Sequence, residues 1–323
     1  MRTLSQMVAG QNFEVASAMT AAERQELKAQ SDHITERAKR EWDDPAFHRE
    51  MAAFITESLS WGFENENVFN SIINTEQVAE DDVIVIEEMR GLQVFSTHRG
   101  GQVDQTTMTN EKFQLPRDEM AWHIAELEDD VRNGYGKYLT TLIPFVRQRE
   151  KAEIYRRIFN MVQAAVPSTS EYYIDATASG LTPQVLNRAI TAVADTPPPS
   201  GGANISAPLT IVGRATAVDQ LLDFGGYSDA ALEEIRRTGR IGTYRGAGIV
   251  RLTNWQDEEG ESFFPDDELY ILSGNAGKFA FYGGARTKQW VEDKVDYVHT
   301  RSRRDLGGAL YRPSGVRRVK LDI

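Results

Sequence analysis

The chain has no cysteine. That excludes disulfide staples, thiolate metal centres and thiol nucleophiles, and it fits folding in a reducing compartment. Long apolar runs are absent too: nothing approaches the roughly 20 residues that span a bilayer, and residues 1–30 lack the apolar stretch of a secretory signal. The sequence therefore predicts a soluble, cytoplasmic product with no membrane partner. Positive charge is scarce. With 36 Lys and Arg against 48 Asp and Glu, the formal net charge is −12. This argues against a surface built to grip nucleic acid, because phosphate binding needs clustered Lys and Arg that release counterions.

The usual carriers of catalysis are missing as well. The five histidines, His33, His48, His98, His123 and His299, are scattered. No two have the i, i+4 spacing of a helical zinc site, and no GxSxG elbow stands ready to pair with one. Gly-rich segments occur at 134–137, 239–248 and 274–278, but none has P-loop spacing or the strand–GxGxxG–helix context of a dinucleotide site. Thr238 to Gly248 comes nearest to a phosphate cradle and is better read as turns. The acidic doublets Asp129-Asp130 and Asp266-Asp267 lie in polar runs, where a hydrated carboxylate keeps an ordinary pKa and catalyses little. No catalytic, cofactor-binding or metal-binding residue is assigned, and the expectation is a chain that is not an enzyme.

At 323 residues the chain exceeds the size at which one core keeps growing, so two lobes with extensions are expected. Residues 1–80 read as an arm. Met19 to Arg40 is helix-prone but polar almost all round, with Leu27 and Ile34 as its only large aliphatics, so something other than its own core must stabilise it. Asp44-Pro45 reads as N-cap and first helical residue, and Phe47, Met51, Phe54, Ile55 and Leu59 follow on one apolar face that needs a partner surface. From Asp82 the pattern turns to β: Val83–Ile86, Leu92–Phe95 and Gln102–Met108 are strand-like around a Gly100-Gly101 turn. So polar a hairpin is marginal alone and is expected to lie on a neighbour.

A long helix is predicted from Val131 to Val166 by apolar residues at spacings of three, four and seven, with a kink or restart at Pro144. Residues 168–277 alternate as a compact α+β lobe. It contains a strand at Tyr172–Ile174, a helix opened by Thr182-Pro183, a loop at Thr196–Gly202, and a strand at Leu209–Val212 followed by a helix.

The last 80 residues carry the most specific pattern. Gly246-Ala-Gly-Ile-Val-Arg-Leu-Thr-Asn254 reads as a strand and Pro265-Asp-Asp-Glu-Leu-Tyr-Ile-Leu272 as a second; Gly277-Lys-Phe-Ala-Phe-Tyr-Gly-Gly-Ala285 and a basic, β-prone tail follow. This order resembles the C-terminal part of major capsid proteins of tailed double-stranded DNA phages, the Hong Kong 97 fold. The resemblance implies an α+β chain with an N-terminal arm at 1–80, an extended β-hairpin loop at 81–118 and the spine helix of a peripheral domain at 119–167. An axial domain at 168–277 and C-terminal peripheral strands at 278–323 complete it. It also implies assembly as pentamers and hexamers into an icosahedral shell around phage double-stranded DNA, bound without sequence specificity, with a portal and a decoration protein as further partners. A separate scaffolding protein is expected, since residues 1–80 are short for a fused one. The alternatives are an encapsulin-type compartment with the same fold and an unrelated soluble α+β enzyme.

Charge suggests where copies meet. Acids crowd the first 130 positions, while Arg301, Arg303 and Arg304 make the tail basic. Either these are solvated surface, or the tail arginines meet a neighbour's Glu87-Glu88 or Asp118-Glu119, since complementary potentials set register. Some relatives in the resembling family join a loop lysine covalently to a neighbour's asparagine. Lys112 is the only lysine between Gly91 and Asp130, but no asparagine follows Asn275, so the shell is expected to be non-covalent. Particles boiled in denaturant should accordingly run as one band near 36.3 kDa; covalent ladders that vanish in Lys112→Ala would contradict this.

Overall fold

A computed structural model describes residues 21–64, 72–90, 109–178, 180–195, 208–224, 233, 242–252, 262, 264–292 and 296–322. Helix α1 spans Ala21–Glu41 and α2 Pro45–Glu64; β1 spans Asn74–Val78, β2 Val85–Arg90, β3 Thr109–Gln114 and β4 Asp118–Leu127. A short α3 (Glu128–Asn133) leads into the long α4 (Tyr135–Ala165), followed by β5 (Tyr173–Asp175), α5 (Pro183–Ala194), β6 (Leu209–Arg214) and α6 (Ala215–Asp219). The remaining strands are β7 (Thr243–Tyr244), β8 (Ala247–Leu252), β9 (Glu268–Ser273), β10 (Gly277–Glu292), β11 (Tyr297–Leu310) and β12 (Val316–Lys320).

Helix α4 buries its apolar stripe into two cores. Its first half, through Tyr135, Leu139, Ile143 and Val146, packs with Trp42, Phe47, Ile55, Leu59 and Val298. Its second half, through Ile154, Ile158, Phe159 and Val162, packs with Phe264, Tyr270, Leu306 and Val316. The kink or restart expected at Pro144 does not end the helix, which runs through it. A missing N–H costs up to about 3 kcal/mol, whereas each fully buried Ile or Leu contributes about 1.5–3 kcal/mol. The stripe on both sides of Pro144 outweighs the proline.

A four-stranded sheet, in the order β1-β10-β11-β4, lies on the first core, and a mixed six-stranded sheet, β5-β12-β9-β6-β8-β7, forms the second lobe. Helix α5 begins as its sequence indicates, Thr182 Oγ1 accepting from Val185 N at 3.3 Å with Pro183 in the first turn. It covers the second sheet with Leu186, Ala189, Ile190 and Val193. One boundary departs from the sequence reading. β12 does not stay with β10 and β11 in the first sheet; it inserts between β5 and β9 in the second. Both faces of β12 are wanted there: Val316 enters the core of α4 and Val319 that of α5. Arg318 then holds the 3 % exposed Glu268 of β9 through two bonds at 2.8 and 2.5 Å.

The N-terminal helices find their partner surface within the chain. The apolar face of α2 meets α4 and Val298, and its start is capped by Asp44 Oδ1, which accepts from Ala46 N at 2.8 Å. The polar α1 docks by close approach. A Cβ at Gly136 would stand 2.0 Å from the Ser31 carbonyl oxygen, Gly136 N donates to Thr35 Oγ1 at 2.9 Å, and Arg37 bridges Glu41 and Glu50, each at 2.7 Å. Gly136→Ala should therefore separate α1 from α4 and lower stability by about 1–3 kcal/mol, the usual cost of overpacking. Urea denaturation reads this directly, and Gly134→Ala, where the nearest atom would be 3.4 Å away, should cost less.

Candidate intersubunit surface

Among the described residues, the ribbon of β2 and β3 stands apart from the rest of the packing. It is an antiparallel pair separate from both sheets, with Glu87 opposite Lys112 and Glu88 opposite Glu111. The first strand begins two residues later than the sequence suggests, at Val85. The expected strands Leu92–Phe95 and Gln102–Met108 and the Gly100-Gly101 turn lie outside the described residues. Val83, Val85 and Phe113 are 60 %, 46 % and 47 % exposed, and a two-stranded ribbon is at best marginally stable in water.

The foot of the ribbon, in contrast, is clamped. Ile84 and Leu115 are buried against Ala280, Tyr282 and Ala309, and Leu115 N donates to the Ile84 carbonyl at 3.0 Å. Asp305 of β11 accepts from Arg117 Nη2 and, at 3.1 Å, from Arg286 Nη2. Arg286 also reaches the Glu80 carboxylate, and Arg117 Nη1 donates to the Glu80 carbonyl at 2.7 Å. The two chain segments that enter and leave the ribbon are thus tied to one buried carboxylate. Gly307 permits this, because a Cβ there would stand 1.8 Å from the Pro116 carbonyl oxygen.

Of the charged residues picked out in the sequence, Asp118 and Glu119 and the three tail arginines fall on the neighbouring strands β4 and β11 of one subunit, while Glu87, Glu88 and Lys112 lie on the separate ribbon. In the β4–β11 pairing, Arg303 lies opposite Ala121, Arg304 opposite Met120 and Arg301 opposite His123. Arg303 Nη1 is 3.5 Å from Glu119 Oε2, both side chains being 42 % exposed, and Asp118 faces Arg157 of α4 at 3.9 Å. Arg304 requires correction as a contact residue. Strand alternation turns it inward with Ser302, where it is 5 % exposed and lies 5.9 Å from the Phe281 ring centroid. Below it is Glu150, also 5 % exposed, whose Oε1 accepts from Trp122 Nε1 at 2.7 Å. Burial pushes the Glu150 carboxyl above the ordinary carboxylate range, opposed by the charge of Arg304 and the bond from Trp122. Of the tail cluster, Arg301 and Arg303 reach the surface.

Two of the scattered histidines also meet. His123 Nε2 is 3.0 Å from His299 Nδ1, His299 Nε2 is 3.0 Å from Glu292 Oε2, and Trp290 stacks on both rings. Sequence could not show this, since the two are 176 residues apart and only the β4–β11 register joins them. Among the described residues no group of three or more His, Asp or Glu is arranged to hold a metal ion.

The family described as "SPbeta prophage-derived putative capsid protein YonB" matches residues 1–314. No curated protein matches the chain. Solved structures with the same fold include that of Microbacterium phage Oxtober96, with a TM-score of 0.54 and 12 % identity over 78 % of this chain and 89 % of that one. The capsid of an empty GTA particle gives 0.53 and 11 % over 79 % and 90 %, and the capsid of cyanophage P-SCSP1u 0.52 and 14 % over 78 % and 87 %.

Removing the buried carboxylate should free the ribbon without unfolding the lobes. In Asp305→Ala, hydrogen exchange in peptides covering 84–90 and 109–117 should speed up by an amount equivalent to about 1–3 kcal/mol, while peptides from α4 stay protected. Unchanged exchange at the ribbon foot would show that the apolar contacts alone hold it.

Proposed function

The chain belongs to the family of SPbeta prophage-derived capsid proteins and is a phage-type major capsid protein; from that premise we propose that it assembles as pentamers and hexamers into an icosahedral shell around phage double-stranded DNA. The observation that carries the assembly reading is the ribbon. Its foot is fixed by ion pairs to the buried Asp305 carboxylate while its strands expose Val85 and Phe113, which is the construction of an element held ready for a surface outside its own subunit. In this reading the ribbon is the extended loop, α4 with the four-stranded sheet is the peripheral domain, and the six-stranded sheet with α5 is the axial domain. A separate scaffolding protein, a portal and a decoration protein are its expected partners, and assembly takes place in the host cytoplasm. The wall is acidic overall, with net charge −12, so contact with packaged DNA is weak, salt-sensitive and indifferent to sequence.

Expression with and without its genomic neighbours, followed by light scattering on a sizing column and negative-stain microscopy, tests the proposal. Rings of five and six copies and closed shells are expected, each contact burying on the order of 1,000 Å² or more. A clean monomer at high concentration with a scaffold supplied would overturn it.

A further inference from the structure

Strand alternation gives the four-stranded sheet two faces. Trp122, Ile124, Val291 and Val298 belong to the one that packs into the first core. The other face gathers rings from three strands. Trp290 of β10 lies opposite His299 of β11, and His123 of β4 lies opposite Arg301, two residues along β11 from His299. His123 and His299 are therefore diagonal neighbours on one face, within reach of each other. Their rings are 28° from coplanar, and the Trp290 ring is tilted only 18° from the first and 12° from the second.

The hydrogen-bond partners fix which nitrogens can ligate. His299 Nε2 is 3.0 Å from Glu292 Oε2; a carboxylate accepts, so Nε2 carries the proton and Nδ1 keeps its lone pair. That lone pair faces His123 Nε2 at 3.0 Å. Two imidazole nitrogens bound to one ion at about 2.0–2.1 Å stand about 2.9 Å apart at a right angle and about 3.3 Å apart at the tetrahedral angle. The pair already lies in that span. An ion that takes the place of the proton between the rings requires an in-plane turn of each, and the exposed His123 leaves the position open to water. Glu292, behind His299, supplies the carboxylate that orients a ligating imidazole and raises its basicity. Lys288 and Arg301, opposite one another on the same face, disfavour a hard cation held by charge alone, and Mg²⁺ and Ca²⁺ take oxygen ligands. Imidazole nitrogens suit Zn²⁺, Cu²⁺ and Ni²⁺.

We propose that His123 and His299 form an open two-histidine site for a divalent ion of the zinc class, with Glu292 as its positioning residue and water in the remaining coordination positions. Two protein ligands are fewer than the three or four of an established zinc centre, so the site acts as a clip that fills and empties with the ion supply. Its place in the fold gives the clip a consequence. Among the described residues β4 pairs only with β11, and it carries the chain from the ribbon foot at Arg117 into α3 and α4. An ion held by both histidines ties that edge strand to its neighbour. All three residues belong to one subunit, so the site stands independently of the assembly reading.

Calorimetric titration of Zn²⁺ into the full chain, with Mg²⁺ as the control ion, tests the site, and no thiol competes for the metal because the chain has no cysteine. Saturable binding of Zn²⁺ but not Mg²⁺ is expected, and it should be lost in both His123→Gln and His299→Gln. Glu292→Gln should weaken it about 10–100-fold while leaving hydrogen exchange of β4 in the metal-free chain unchanged, which separates positioning of the ligand from support of the strand. A second measurement needs no variant. In the unmodified chain, saturating Zn²⁺ should slow hydrogen exchange in peptides covering 118–127 and 297–303, while peptides from the six-stranded sheet do not respond. The proposal is overturned by the absence of saturable Zn²⁺ binding, by binding that persists in either histidine variant, or by exchange at β4 and β11 that the ion does not move. Should the histidine variants fail to fold, the exchange result on the unmodified chain decides alone.

Discussion

Burial of one long helix along both sides of its length is the constraint on which the rest of the structure depends. Helix α4 supplies Leu139 and Ile143 to one core and Ile154, Ile158 and Val162 to another, so neither sheet can be placed independently of it. Because its two ends serve different sheets, the strands between must sort themselves by which core their apolar residues can reach. β10 and β11 stay with the first core through Val298 and pass to the second through Phe279 and Leu306, while β12 uses both faces to bridge the α4 and α5 cores.

Against this rigid frame the ribbon is a projection. Its foot combines two kinds of restraint: apolar contact of Ile84 and Leu115 with β10 and β11, and the bonds from Arg117 and Arg286 to Asp305. A charge-assisted bond to a nearly buried carboxylate is strong and directional, so the direction in which the ribbon leaves the sheet is specified even though its outer surface is not satisfied. A fixed foot with unsatisfied strands is stable in isolation and gains further by association, which is what a subunit of a closed shell requires. With no cysteine in the chain, this is done without disulfides.

The buried ions set limits on how the surface can be read. Arg304 and Glu150 are both 5 % exposed between α4 and the sheet. A charge held there is part of the core and cannot also serve a neighbour, since losing its local partner would leave it unpaired in a poorly solvated place. Arg301 and Arg303, on the opposite face of the same strand, are open to solvent. One step along a strand therefore separates a structural arginine from a surface one.

Much was legible in the amino-acid order alone. The Asp44-Pro45 and Thr182-Pro183 helix starts, the apolar stripe of α4, and the strands from Gly246 onward follow from capping chemistry and periodicity, which are local, and the C-terminal order already resembled the capsid fold. Tertiary structure decided the rest. The helix continues through Pro144 because packing on both sides outweighs one lost bond. The polar α1 docks because Gly136 lets Ser31 approach, a fit that no hydropathy pattern records. β12 changes sheets, His123 meets His299, and Arg303 meets Glu119 through strand register, which links residues more than 170 positions apart. Periodicity tells each strand which face to bury, and only the assembled sheet tells it whose neighbour it is.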